Sequence, residues 1–400
     1  MMRIVVVGLG AAGLAAVEEA RKTAPAARIT AISNEPHPAY YRPQLSHRLV
    51  TGADPQSLLI RKPEWYAQNR VELRLGTAVI RLLVDEKRVE LAGGESAAYD
   101  ACVLAMGSSS FLPPVRGREL RGVFTLRNIT DALGVRETLS SATKPVIIGG
   151  GPLGLEAAWA IASAGKGVTV LERGDRLLKR QIDEEGSRFL HDLLGRAGIS
   201  VVYGADTGEI TGAGRVEGVS LKDSRVIEAD FVLFSAGVRP NTAVAKAAGL
   251  QVQGGVVVDD RMRTSAGSVY AAGDVAEWDG RVAGVMPVAV AQGKVAGANA
   301  AGGDITYVEP ELSVVINILG FSIASVGEVG GGDFALGDPP AKDEYLKVFF
   351  KGETPVGAVS IGEARRVSAL RQIVARGAGV TGARQLNSAS EMLRIWSSSK

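Results

Sequence analysis

The chain has 400 residues, too many for a single hydrophobic core, so about two or three domains are expected. Its 45 Lys plus Arg nearly balance 43 Asp plus Glu, which excludes the concentrated basic face of a nucleic-acid binder. The single cysteine, Cys102, excludes an intramolecular disulfide, a Cys-rich metal site and an iron–sulfur cluster of the chain's own; its apolar setting, Ala101 to Ala105, marks it as structural.

The first apolar run, Ile4 to Val7, passes straight into GLGAAG with almost no basic leader, so it reads as a strand and not as a signal peptide. In VVVGLGAAG, Gly8 allows the tight strand-to-helix turn, Gly10 lets backbone approach a pyrophosphate, and Gly13 lets helix pack on strand. A helix from about Gly13 to Thr23 and a strand over Ala27 to Ser33 follow. Glu35 lies close to the ~20-residue spacing at which an acid meets the ribose. The next stretch, NEPHPAYYRPQLSHRLV, is broken by Pro36, Pro38 and Pro43 and is predicted to be an irregular ligand-facing loop. Short strands are expected at Val71 to Leu75, Val79 to Val84 and Lys87 to Leu91, then a long one over Tyr99 to Ser109.

A second fingerprint, VIIGGGPLG at Val146 to Gly154, repeats the first with Gly149, Gly151 and Gly154 in the three places. A strand at Gly167 to Glu172 ends on an acid near the same ~20-residue spacing, so Glu172 should meet a ribose 2′-OH and repel a 2′-phosphate, favouring NADH, with Arg173 and Arg176 close enough to soften that. A helix around Asp183 to Gly195 and a strand over Phe231 to Gly237 complete this unit. The chain then returns through the strand Ser268 to Val275 and a small-residue helix after Pro287. From about Glu311 onward, strands and a terminal helix near Ala364 to Ala378 suggest a β-rich cap. No run of roughly 18 apolar residues occurs, so no membrane span is expected and a cytoplasmic location follows.

These motifs together resemble the two-dinucleotide-binding flavoproteins of the pyridine nucleotide–disulfide oxidoreductase fold, and within them the NADH-dependent rubredoxin and ferredoxin reductases. The segments that carry the resemblance are TSAGSVYAAGDV (Thr264 to Val275), VLAMGS (Val103 to Ser108), YYRPQLS (Tyr40 to Ser46) and FSAGVRPN (Phe234 to Asn241). It implies an α/β fold in which an FAD domain (1–112 and 243–310) is interrupted by an NAD domain (113–242), with a small α+β cap at 311–400. It implies FAD at the first fingerprint, helped by Arg42, Pro43, Ala105, Gly107, Gly273 and Asp274, and NAD(H) at the second, with Gly237 in the hinge. The thiol-dependent relatives carry cysteine near the flavin, and His37 to His47 holds none. Thiol chemistry is therefore excluded. Where ferredoxin reductases place lysine opposite a glutamate beside flavin N5, this chain has His47 opposite Glu156, so a His47–Glu156 pair is the expected catalytic feature.

The expected activity is hydride exchange between NAD(H) and FAD, with electrons passed to or from an iron–sulfur partner: rubredoxin, ferredoxin or a subunit of a larger oxidoreductase, with a homo-oligomer also possible. Arg365, Arg366 and Arg371 are candidates for attracting an acidic partner. The alternatives are an NADH oxidase that delivers electrons to dioxygen, and a flavin-bearing sensor or structural subunit.

Overall fold

The computed structural model describes residues 1–310, 313–339, 341–362, 364–377 and 379–398. One unit gathers Met1–Pro43, Asp54–Ser110 and Gly237–Pro310; the other gathers Gln44–Ala53, Phe111–Ala236 and Glu311–Lys400.

In the first unit a five-stranded parallel sheet runs in the order Val269–Ala271, Ala101–Leu104, Arg3–Val7, Arg28–Ile32, Val71–Arg74. Apart from the outermost strand Val71–Arg74, these strands are nearly continuous apolar runs, because a parallel sheet is covered on both faces. The edge strand Val269–Ala271 comes from late in the sequence, so the chain leaves this sheet and comes back to it. The returning helix Met286–Ala300 packs against Ala11–Thr23 at backbone distance. A Cβ at Gly293 or Gly297 would lie 2.2 Å from the carbonyl oxygen of Ala12 or Ala16. Only hydrogen fits there, which explains the small residues of that helix.

The second unit repeats the plan in a parallel sheet ordered Ile199–Val202, Val168–Leu171, Pro145–Ile148, Phe231–Phe234, Val123–Thr125. It also contains an antiparallel sheet ordered Ser313–Ile318, Phe321–Gly327, Thr354–Gly362, Tyr345–Lys351, Phe334–Gly337. Leu370 and Ile373 of the helix Arg365–Arg376 and Met392 of the helix Ala389–Ser398 close its core over Val348 and Phe350. Asp183, at the start of the helix Glu184–Arg196, accepts hydrogen bonds from Tyr345 Oη (2.7 and 2.9 Å) and Lys347 Nζ (3.1 Å), tying this sheet to the α/β layer.

Several elements depart from the sequence expectation. The long strand over Tyr99 to Ser109 divides into Ala101–Leu104 and Ser108–Ser110, because the backbone turns through Gly107 at φ +63°. Arg365–Arg376 is not the last helix; Ala389–Ser398 follows, with a narrow apolar stripe of Ala389, Met392, Leu393 and Trp396. The proline-rich loop is not wholly irregular, since Leu45–Leu49 forms a single π-helical turn. Among the described residues no helix is long and apolar enough to cross a membrane.

Candidate functional site

In both sheets the glycine loop follows the strand where the strand order reverses, the place at which doubly wound sheets bind ligands. Gly8 turns at φ +96°, and a Cβ on it would lie 2.2 Å from Ala105 O. Gly149 turns at φ +117°, with Ser235 O at 2.3 Å. Only glycine makes either turn without moving backbone. Gly13 and Gly154 abut the carbonyls of Gly8 and Gly149, each at 2.0 Å from a Cβ. Gly10 and Gly151 are different: a Cβ on Gly10 meets only Arg42 Nε at 4.0 Å, and one on Gly151 meets nothing. Each is the N-cap of the helix that follows, and neither helix start has a side-chain cap. Uncapped N–H groups facing open space suit a pyrophosphate, so both loops fit a dinucleotide.

Around the first loop, Arg42 forms an ion pair with Glu35 and donates to Tyr40 Oη (2.8 Å), and Tyr40 Oη donates to Glu35 at 2.5 Å. Burial pulls the Arg42 guanidinium down, but Tyr40, Glu35 and Asp274 more than offset this and hold it charged. Glu35 is thus engaged by Arg42 and Tyr40. Asp274 accepts from Ser108 Oγ at 2.8 Å. Gly273, at φ +79°, donates its N–H to Gln292 Oε1 at 2.9 Å. Asn241 holds the Gly107 turn through Met106 O (2.8 Å) and Ser109 Oγ (2.7 Å). Ser108, Gln292 and Asn241 were not singled out from sequence. Ser108 and Asn241 end the quoted segments VLAMGS and FSAGVRPN, whereas nothing local marks Gln292. Pro43 is exposed, and Gly237 turns at φ +95° in open space.

In the second unit Glu172 uses both carboxylate oxygens on its own loops, accepting from Gly150 N–H (2.9 Å) and Gly174 N–H (2.6 Å). That fixes the acid at the carboxyl end of Val168–Leu171. Arg173 is exposed and Arg176 is half-buried, its Nε without a partner.

Glu156 lies in the second turn of the helix Pro152–Ser163 and is partly buried. Burial pushes its carboxyl up to about 7; the Ser46 side chain and the main chain of Asn317 pull the other way. The expected His47–Glu156 pair does not form. His47 is exposed and Ser46, one residue earlier, is buried. The π-helical turn explains the difference, because its wider spiral changes which side chain of Leu45–Leu49 faces inward. Of the other histidines, His191 Nδ1 is hydrogen-bonded to Tyr203 Oη at 3.1 Å and His37 is half-buried in the proline-rich loop. Arg366 is ion-paired with Glu344 at 2.7 Å, while Arg365 and Arg371 are exposed.

Residues 2–293 match the family described as pyridine nucleotide-disulphide oxidoreductase. The chain is 31% identical over 384 residues to a nitrite reductase [NAD(P)H] of Bacillus subtilis, covering 95% of this chain and 48% of that protein. It is 29% identical over 379 residues to an NADH-rubredoxin oxidoreductase of Clostridium acetobutylicum, covering 93% of this chain and 94% of the other. A crystal structure of a ferredoxin reductase from Rhodopseudomonas palustris superposes with a TM-score of 0.90 at 27% identity, covering 99% of each chain. The chain thus spans about half the length of the nitrite reductase and nearly all of the rubredoxin and ferredoxin reductases.

Proposed function

The chain belongs to the pyridine nucleotide-disulphide oxidoreductase family, whose members bind FAD and NAD(H), and we propose that it serves there as an electron-transfer flavoprotein. It exchanges hydride between NAD(H) and FAD and passes electrons to or from an iron–sulfur protein or subunit. The observation that carries this reading is the pair of open glycine loops on two parallel sheets, combined with one buried cysteine whose thiol burial pushes up. Two nucleotide cradles bring a donor and an acceptor to one chain, and no thiolate is available to receive the electrons.

FAD is assigned to residues 1–112 and 243–310, NAD(H) to 113–242, and a cap to 311–400. Bound FAD would supply the conversion of a two-electron hydride into single electrons. The chain's own side chains bind and orient. Gly10 and Gly151 leave room for the two pyrophosphates, and the helix N-termini behind them attract the negative charge. Asp274, held by Ser108, would accept from a cofactor hydroxyl. The start of Met286–Ala300, with proline in its first turn, would offer its N–H groups to negative charge on a reduced flavin. Glu172 opposes a 2′-phosphate and so favours NADH. A place as the NAD-coupling part of a larger oxidoreductase belongs to the same proposal, supported by the length of the nitrite reductase relative.

The test is anaerobic. Protein purified with FAD should bleach on adding NADH and recolour on adding an oxidised iron–sulfur protein. Protein that holds no flavin, or flavin that NADH leaves oxidised, would overturn the reading.

A further inference from the structure

Asp183 stands at the N-cap of the helix Glu184–Arg196, where an aspartate ordinarily accepts from the N–H of the second or third helical residue. Its carboxylate makes no such bond and turns to the antiparallel sheet instead. There it accepts from Tyr345 Oη, 2.7 and 2.9 Å from its two oxygens, and from Lys347 Nζ at 3.1 Å; Lys347 also reaches Glu185 at 2.9 Å. Gly186, the third residue of the helix, leaves the space for this joint: a Cβ on it would lie 2.9 Å from Asp183 Oδ1 and 3.1 Å from Tyr345 Cε1. The Tyr345 ring is buried, with its centroid 5.9 Å from that of Phe189 on the same helix. Burial, then the bond to Asp183, pushes the phenol up, so it remains a donor.

Asp183 also ends the loop that starts at Glu172. Glu172 accepts from Gly150 and Gly174 N–H, and Leu177 lies so close to the second glycine loop that a Cβ on Gly150 would be 2.7 Å from Leu177 Cδ2. Leu177, Leu178 and Ile182 are all buried. Leu178 turns at φ +48°, a region that residues other than glycine rarely adopt, and its carbonyl accepts from Gln181 and Ile182 N–H at 2.7 and 3.0 Å. A strained turn of this kind persists only where its surroundings hold it. The glycine loop holds one end, and the antiparallel sheet, through Asp183, holds the other.

We propose that Tyr345 and Lys347 are positioning residues for the coenzyme: by gripping Asp183 they keep the Glu172–Asp183 loop in the form that receives the adenosine half of NAD(H). This rests on the reading that the second glycine loop takes NAD(H) with its adenosine ribose at Glu172. Both side chains act through Asp183, so they govern how tightly the coenzyme is held and not how fast bound coenzyme gives up hydride. When the grip is lost, Asp183 is released to cap its own helix, which keeps its start while the loop loses its anchor.

The experiment is titration calorimetry of the oxidised, FAD-loaded protein with NAD+ and with ADP-ribose, which has the adenosine half and no nicotinamide. Tyr345→Phe, which removes only the hydroxyl, and Lys347→Ala should each weaken both ligands by about fivefold or more, and Lys347→Arg should restore them. Adding Tyr345→Phe to Asp183→Ala should change nothing further, because the two act as one unit. At saturating NADH the limiting rate of anaerobic flavin reduction should stay within about twofold of wild type. Wild-type affinity in Tyr345→Phe overturns the proposal even if the melting temperature falls, since a role confined to joining the two layers moves only the melt. Loss of NAD+ affinity with ADP-ribose unaffected overturns it as well. Gly151→Leu separates the two readings. If it binds NAD+ like wild type, the coenzyme is not at the second loop and both readings fail; if it loses NAD+ while Tyr345→Phe does not, the proposal alone fails.

Discussion

Two residues past the third glycine of each loop, the first unit has Ala15, buried on Ala11–Thr23, and the second has Glu156, on Pro152–Ser163. Everything before that position is matched: a positive-φ glycine against a carbonyl, an open N-cap glycine, a third glycine against the first. Helix packing at this site is satisfied by a methyl group, so the carboxyl in the second unit is not there for the fold. A partly buried acid that has no ion pair among the described residues costs stability. The comparison teaches that the scaffold is duplicated and the half-buried acid is placed on one copy.

The largest expected effect tests the matched part. Gly8→Val and Gly149→Val each force a side chain to within 2.3 Å or less of a main-chain oxygen at a φ that β-branched residues do not adopt. Each should cost well over about 4 kcal/mol and unfold its own unit first, seen as loss of cooperative melting. A melt like that of wild type would show that the turns are not the fixed points described.

Next come the open glycines. Gly10→Leu should melt like wild-type protein stripped of flavin yet retain no FAD, whereas Gly151→Leu should keep its FAD and lose NADH-driven bleaching by at least about tenfold. If the two variants exchanged these phenotypes, the cofactors would have to be reassigned between the units.

Smaller again is the effect of the unmatched residue. The Glu156 carboxyl is raised from 4.5 to about 7, so the protonated form is the one that folding favours. Its contribution is fully present below about pH 4.5 and is lost as pH rises through 7, about 3 kcal/mol in all. Glu156→Gln should therefore be more stable than wild type at pH 8 by that order and indistinguishable from it at pH 4. Equal differences at both pH values would mean that the gain comes from packing and not from charge.

Much of this was legible in the sequence, and the reason lies in local chemistry. GLGAAG and GGGPLG each specify a turn, a close approach and a helix start within a few residues, and the flanking apolar runs specify strands. The site beyond them depends on contacts across the chain that spacing does not encode. Gln292 reaches Gly273 across a helix–turn contact, and Gly293 and Gly297 have a reason only once Ala12 and Ala16 lie against them. The His47 expectation failed by one residue, because matching the loop to lysine-bearing relatives ignored the π-helical turn that directs Ser46 inward.

The smallest expected effect concerns the coenzyme. Glu172→Gln should narrow the preference for NADH over NADPH by about tenfold in anaerobic bleaching rates, with Arg173 and Arg176 then free to favour the 2′-phosphate. Because Glu172 also holds Gly150 and Gly174, both rates should fall somewhat.

The central claim is that electrons entering at the second loop leave the first unit's flavin as single electrons to an iron–sulfur protein. Stopped-flow mixing of NADH-reduced protein with an acidic rubredoxin or ferredoxin, against air-saturated buffer, tests it directly. The account predicts acceptor reduction much faster than oxygen consumption, slowing as ionic strength rises past the point where the Debye length falls to ~10 Å. Rapid oxygen consumption with no response to any iron–sulfur acceptor would contradict it and identify the chain as an oxidase.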